Sequence, residues 1–335
     1  MSIAIKNLSS SNKVKLKKFL SKQHTWLITG AAGFIGSNIL DFLLKNNQKI
    51  IAIDNLTSGN ISNIKELQKK FINKKFIFKK IDIRHKQDLK QINKYQLDYV
   101  LHLAALASVA DSIKNPNLCK EVNIKGFENL INTVKYTKVK KIIFASSAAV
   151  YGNSYKINFE SSKLNPMSPY AISKEKNEIY AKKQSKKIKI KFVSLRYFNI
   201  FGKNQSSNSG YASVVPKWIK QFRKNINIHI YGDGTTVRDF FHVDNVVLAN
   251  ILCAMNYTKS YDVFNVGSGF SITLNDLFKK LSKIFSSKKI SLFYKKFKKE
   301  DVYLSRSSIK KIKSKLGYKI IKELDPGLYE LIQDK

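Results

Sequence analysis

The stretch that most limits how this chain can fold is TWLITGAAGFIGSNILDFLL, residues 25–44. An apolar, β-branched run, TWLIT (25–29), stops at Gly30 and passes through Gly33 and Gly36 into an apolar pattern of helical period. A strand that is apolar on both faces needs cover on both sides, which predicts a parallel sheet between helices. The same alternation continues in KIIAI (49–53), KFIFKKI (75–81), DYVLHL (98–103), KIIFAS (141–146) and IKFVSLRY (190–197). Helix-length segments lie near 34–46, 60–70, 86–94, 116–137 and 169–186. Right-handed crossovers then predict an α/β fold built on a doubly wound parallel sheet. Past about residue 200 the alternation loosens, through the polar loop KNQSSNSG (203–210) into mixed short elements. The expected organisation is a polar helical leader over 1–24 and a sheet domain over 25–197 with returning segments near 238–266. A smaller substrate-binding domain is expected over most of 198–335.

The glycine turn carries a chemical expectation. Backbone N–H groups and a helix N-terminus face an anion there, and glycine lets a phosphate approach. Asp54 ends the second predicted strand, 18 residues after Gly36. A carboxylate at that place accepts from both ribose hydroxyls of NAD and repels a 2′-phosphate, so NAD is the expected cofactor. A turn cap within DNLTSG would also account for Asp54.

Charge narrows the partners. The 61 basic residues against 23 acidic ones give a formal charge of +38. The lysines are spread along the whole chain, and only five basic residues are arginine: Arg84, Arg196, Arg223, Arg238 and Arg306. Forked recognition of bases and phosphates draws on arginine, so no nucleic-acid role is expected. Cys119 and Cys253 form no disulfide or metal pattern, and the five histidines lack ligand spacing. The start of the chain lacks the apolar core of a secretory signal, and its most apolar window is broken by glycines, Asn38 and Asp41. A cytoplasmic protein with no membrane insertion is expected.

SPYAISK places Tyr170 and Lys174 four residues apart, on one face of a helix that Pro169 can start. A nearby ammonium stabilises a phenolate, which would make Tyr170 a general base for a hydroxyl group. Ser146 and Ser147, in FASSAAVYGN, stand at the end of a predicted strand with small residues after them.

In this order the motifs TGAAGFIGSNI, DNLTSGN, HLAALASV, ASSAAVYG, SPYAISK, RYFNIFG, YGDGTTVRDFFHVDN and FNVGSG resemble the extended short-chain dehydrogenase/reductase family. Within it the chain is similar to NAD-dependent nucleotide-sugar 4-epimerases, with the nearest likeness to bacterial UDP-N-acetylglucosamine 4-epimerases of surface-polysaccharide synthesis. The resemblance spans about residues 25–325. It implies a Rossmann domain binding NAD through Gly30, Gly33, Phe34, Ile35, Gly36, Asp54, Asn55, Asp82, Ile83, Ala104, Ala105, Tyr170 and Lys174. It implies Ser147, Tyr170 and Lys174 as the catalytic group, and a homodimer joined by a four-helix bundle.

For a UDP-sugar substrate the resemblance implies Ser108, Ser147, Asn199, Gln205, Tyr211, Ser213, Val214, Arg238, Asp301 and Ser305, with Asn123 as a further contact. Arg238 would hold the pyrophosphate. Ser305, four residues after Asp301, would leave room for an N-acetyl group beside C2, where a bulky aromatic would restrict the site to plain hexoses. Related 4,6-dehydratases place an Asp-Glu pair after the strand-end hydroxyl. Ala148 and Ala149 stand there, so oxidation and re-reduction at C4 is expected rather than elimination. The chain departs from the family pattern at Asp111, Lys298 and Glu300. Alternatives within the same resemblance are a UDP-glucuronate decarboxylase or epimerase, and a non-catalytic NAD-binding regulator.

Overall fold

The computed structural model describes residues 8–72, 75–206, 213–286, 290–296 and 302–333. A first helix, α1 (Ser10–Ser21), leads into β1 (Thr25–Thr29), α2 (Phe34–Lys45), β2 (Lys49–Asp54), α3 (Ile61–Lys70) and β3 (Phe76–Lys80). After the short α4 (Lys86–Lys90) come β4 (Tyr99–His102), α5 (Val109–Lys114) and α6 (Pro116–Cys119). A π-helical stretch, Lys120–Lys125, joins α6 to α7 (Gly126–Val134), followed by β5 (Lys141–Ser147), α8 (Pro169–Gln184) and β6 (Lys191–Tyr197).

The second half supplies β7 (Asn199–Phe201), α9 (Val214–Arg223), β8 (Ile228–Tyr231), β9 (Val237–Arg238), β10 (Phe240–His242), α10 (Val243–Asn256) and β11 (Tyr261–Val266). It continues with β12 (Ile272–Thr273), α11 (Leu274–Ile284), β13 (Leu292–Lys295), β14 (Leu304–Ser305), α12 (Lys310–Leu316) and α13 (Leu324–Gln333). Among the described residues no helix is long and apolar enough to cross a membrane.

Seven parallel strands form the central sheet in the order β11-β6-β5-β4-β1-β2-β3. Alternate side chains feed two cores, as the two-residue period requires. Trp26, Ile28, Ile50, Ala52, Leu101 and Ile143 pack with α2, α3 and α10, and Leu16 and Leu20 of α1 join them. Leu27, Ile51, Val100, Ile142 and Phe192 turn the other way, against Leu89 of α4, Phe127 and Leu130 of α7 and Ala181 of α8. A third core, with Trp218, Phe222, Ile230, Leu277 and Leu281, lies among α9, β8, α11 and β13.

The chain reverses its direction of travel across the sheet between the neighbours β1 and β4, and the carboxyl ends there frame a crevice. Two differences from the sequence-based expectation matter. The segment 86–94 is helical only to Lys90, and 116–137 is not one regular helix but is interrupted by the π-helical stretch.

Candidate active site

At the β1–α2 turn Gly30 has φ +69°, and a Cβ on it would stand 2.7 Å from the backbone N of Ala104. A Cβ on Gly36 would come within 2.2 Å of the Gly30 carbonyl oxygen, so the helix can start this close to the strand only without a side chain there. Gly33 caps α2 without a side-chain hydrogen bond, which leaves the first-turn N–H groups of Phe34 and Ile35 for an anion. Ala104 and Ala105 follow β4 across this turn. The Thr29 hydroxyl accepts from Leu103 and Ala104 N–H, both at 3.2 Å, and meets His102 Nδ1 at 2.7 Å. Burial pushes His102 down to about 3, so its ring is neutral.

Asp54 is buried at the end of β2, with backbone N–H donors from Ala32 at 2.9 Å and Leu56 at 2.8 Å. The Leu56 bond is the turn cap foreseen as an alternative, and Asp54 keeps further acceptor capacity beside it. Asn55 donates to Asp82 at 2.9 Å. Arg84 clamps the same carboxylate at 2.7 Å and holds it well below the usual range. Ile83 is buried beneath Gly126, where a Cβ would meet its side chain at 2.6 Å. The glycine cradle, the uncapped helix and the Asp54–Asn55–Asp82 corner together fit a dinucleotide.

Ser147 ends β5 and accepts from Ala149 N–H at 3.1 Å. Tyr170 is the second residue of α8, whose start is fixed by the Ser168 cap and Pro169. The Ser147 hydroxyl hydrogen-bonds Tyr170. Lys174 is buried, donates to Ala145 O at 2.9 Å and lies 5.6 Å from the Tyr170 ring centroid. The expected electrostatics need correction. Burial pushes the Tyr170 phenol up, opposed by the Ser147 bond, and pushes Lys174 down to about 8. Desolvation, not the neighbouring ammonium, decides the direction at the tyrosine.

Asn123 also differs from expectation. It is 1% exposed, donates to Ser173 Oγ at 2.9 Å and Leu106 O at 3.1 Å, and accepts from Leu106 N–H at 2.8 Å. Its amide is consumed in tying α8 to the loop after β4, which leaves it no reach to a substrate. Ser108 caps α5 by accepting from Asp111 N–H at 3.0 Å.

The second half brings Asn199, Arg238 and Ser305 together. Asn199 Nδ2 donates to Ser305 Oγ at 3.2 Å, and Ser305 pairs with Arg238 across β14 and β9. Asp239 does not face Arg238; its carboxylate turns to Ser268, Gly269 and Ser307. Gln205 donates to Ser213 Oγ at 2.9 Å, and its own buried Oε1 has no hydrogen-bond partner among the described residues. Val214 begins α9 beside the third core. Tyr211, Lys298, Glu300 and Asp301 lie outside the described residues.

Motif reading passed over a buried network beneath the catalytic group. Glu178, one turn beyond Lys174, receives Ser146 Oγ at 2.6 Å, Ser194 Oγ at 3.1 Å and Arg196 Nη2 at 2.6 Å. Arg196 also donates to Tyr151 Oη at 2.9 Å. The signal was Arg196 itself, one of five arginines and set at the end of an apolar strand.

Residues 26–267 match the NAD dependent epimerase/dehydratase family. The chain is 36% identical to a solved UDP-N-acetylglucosamine 4-epimerase from Methanobrevibacter ruminantium in complex with UDP-N-acetylmuramic acid, with TM-score 0.86 over 93% of this chain and 98% of that one. It is 35% identical to a UDP-glucose 4-epimerase from Thermotoga maritima solved with UDP-glucose, with TM-score 0.85 over 92% of this chain and 97% of that one. A UDP-glucuronate 4-epimerase from Thermodesulfobacterium geofontis is 32% identical over 90% of this chain and 93% of its own length.

Proposed function

Because this chain belongs to the NAD dependent epimerase/dehydratase family, we propose that it inverts C4 of a UDP-sugar, taking a UDP-N-acetylhexosamine or the corresponding uronate. The observation that carries this reading is the Ser147–Tyr170–Lys174 group at the carboxyl end of β5, with no carboxylate in the Ala148–Ala149 turn beside it. When bound, NAD would supply the hydride chemistry needed at C4. Gly33, Phe34, Ile35 and Asp54 would hold it. Tyr170 takes the C4 hydroxyl proton on its Oη and later gives it back. Ser147 binds the same sugar oxygen and steadies the phenol. Arg238 grips the pyrophosphate, which lets the keto sugar turn over while still tethered. Asn199 and Ser305 border the sugar, and the small Ser305 supports an N-acetyl group beside C2.

A homodimer accompanies this reading. Val109 and Ile113 on α5, Leu118 on α6 and Ile172 and Ile179 on α8 are exposed apolar residues on the helices that would form a shared bundle.

The test is turnover of UDP-N-acetylglucosamine, UDP-glucose, UDP-glucuronate and UDP-N-acetylglucosaminuronate, each offered alone, with products resolved by chromatography. The 4-epimer of an N-acetylated sugar is the expected product. Tyr170→Phe should lose about 10²–10⁴-fold in kcat and keep its NAD. Release of CO2 from the glucuronate would instead assign a decarboxylase. A wild type without turnover, whose biological activity survives Tyr170→Phe, would assign a regulator.

A further inference from the structure

Asp239 is completely buried and gathers two segments of the substrate side at one carboxylate. It accepts from Ser268 N–H at 2.8 Å and Ser268 Oγ at 2.6 Å. Gly269 N–H donates at 3.2 Å, Ser307 N–H at 3.4 Å, and Ser307 Oγ in a short contact. The loop is pressed against the carboxylate, since a Cβ on Gly267 would lie 2.6 Å from Asp239 Oδ2.

The main chain of the same residue reaches the proposed sugar contacts. Asp239 N–H donates to Ser305 O at 2.8 Å, and its carbonyl accepts from Asn199 N–H at 3.1 Å and Asn199 Nδ2 at 3.3 Å. Arg238, the residue before it, sits in register with Ser305 on one side and Ile272 on the other.

These donors are all neutral N–H and O–H groups. A buried carboxylate is an expensive way to fill space, because packing alone is better served by an apolar side chain. What a carboxylate supplies is about four acceptor sites in a fixed plane, enough to pin several donors at once. We propose that Asp239 is a positioning residue that fixes the spacing between Arg238, Asn199 and Ser305, and thereby sets which sugar the enzyme prefers. The inference rests on the proposed function, because it assumes that those three residues meet the pyrophosphate and the sugar. Asp239 acts through the β14 segment and the 267–270 loop and touches no substrate itself. When its acceptors are lost, the boundary beside the sugar loosens and discrimination at C2 narrows.

The closing experiment compares wild type, Asp239→Asn, Ser307→Ala and Leu281→Ala with UDP-N-acetylglucosamine and UDP-glucose. Asp239→Asn keeps the size and presents a donor where Ser307 expects an acceptor. It should raise KM for the preferred sugar about tenfold with kcat within about twofold, and move the kcat/KM preference at least about threefold toward unity. Ser307→Ala should move the preference the same way by less. Leu281→Ala, a fully buried change in the third core, should lower Tm and leave the preference in place. A preference in Asp239→Asn that stays at the wild-type value, or shifts no more than in Leu281→Ala, overturns the inference. If Asp239→Asn does not fold, Ser307→Ala decides by the same criterion. If the wild type turns over neither sugar nor the uronates, the proposed function fails separately. UDP binding by calorimetry then decides for Asp239: a roughly tenfold weaker Kd in the Asn variant supports it, and an unchanged Kd overturns it.

Discussion

At Tyr170 two opposing influences share one hydroxyl: burial raises its pKa and the hydrogen bond from Ser147 lowers it. Removing the bond leaves burial unopposed, so the phenol becomes a weaker acid and the rising, acid limb of activity, which needs the phenolate, moves to higher pH. Ser147→Ala is therefore expected to lose about 10–10²-fold in kcat near neutrality and to displace that limb upward. Ser147→Thr, which keeps the hydroxyl, should restore the limb. A uniform loss at every pH would show that Ser147 only binds sugar. The Tyr-x-x-x-Lys spacing was legible in the sequence because a helix turns spacing into a shared face. The direction of the tyrosine's shift was not, because it depends on desolvation, which spacing does not encode. Asn123 shows the same limit: its residue type suits a substrate contact, and only the fold reveals that Ser173 and Leu106 occupy it.

Helix α8 carries two neighbours with opposite tasks. Glu178 is buried and paired with Arg196 at 2.6 Å, while Ile179 is 61% exposed on the face proposed for a dimer. Glu178→Gln leaves Arg196 as a buried unbalanced charge and should cost about 3–5 kcal/mol in denaturant unfolding. Ile179→Glu should leave unfolding within about 0.5 kcal/mol and halve the mass measured by light scattering. A dimer that persists in the Ile179→Glu variant would remove α8 from the interface. The six strands read from sequence were legible because apolar residues dominate their buried positions. The seventh, Tyr261–Val266, escaped because Asp262 and Asn265 break its apolar run. Those polar groups are satisfied by contacts distant in sequence: Lys311 reaches Asp262, and Asn265 receives Tyr151 Oη at 2.5 Å. The π-helical stretch was equally hidden, since Lys120–Lys125 has ordinary helical composition; in the fold its Asn123 carbonyl accepts from Asn177 of α8 at 3.0 Å.

Across the whole molecule, buried neutral histidines link stability to acidity. Burial holds His102 at about 3 and His242 at about 4, against about 6.5 for an unfolded histidine. Below pH 6.5 the unfolded chain therefore binds more protons than the folded one, and stability falls with pH until the folded values are reached. At pH 5 each histidine should cost about 2 kcal/mol relative to pH 7. Urea unfolding at the two pH values should show the loss, and His102→Gln should remove about half of it; an undiminished loss would place its cause elsewhere. Long-range closure has a second consequence, through α1. Asn12 donates to Gly317 O at 3.2 Å across 305 positions of sequence, in the space left by the missing Cβ of Gly317. Leu16 and Leu20 share their core with Ile312 and Leu316. On a translating ribosome, at about 5–20 residues per second, α1 is made about 15–60 s before these partners exist. For that interval an amphipathic, lysine-rich helix waits without its docking face, open to any chaperone that reads exposed leucines.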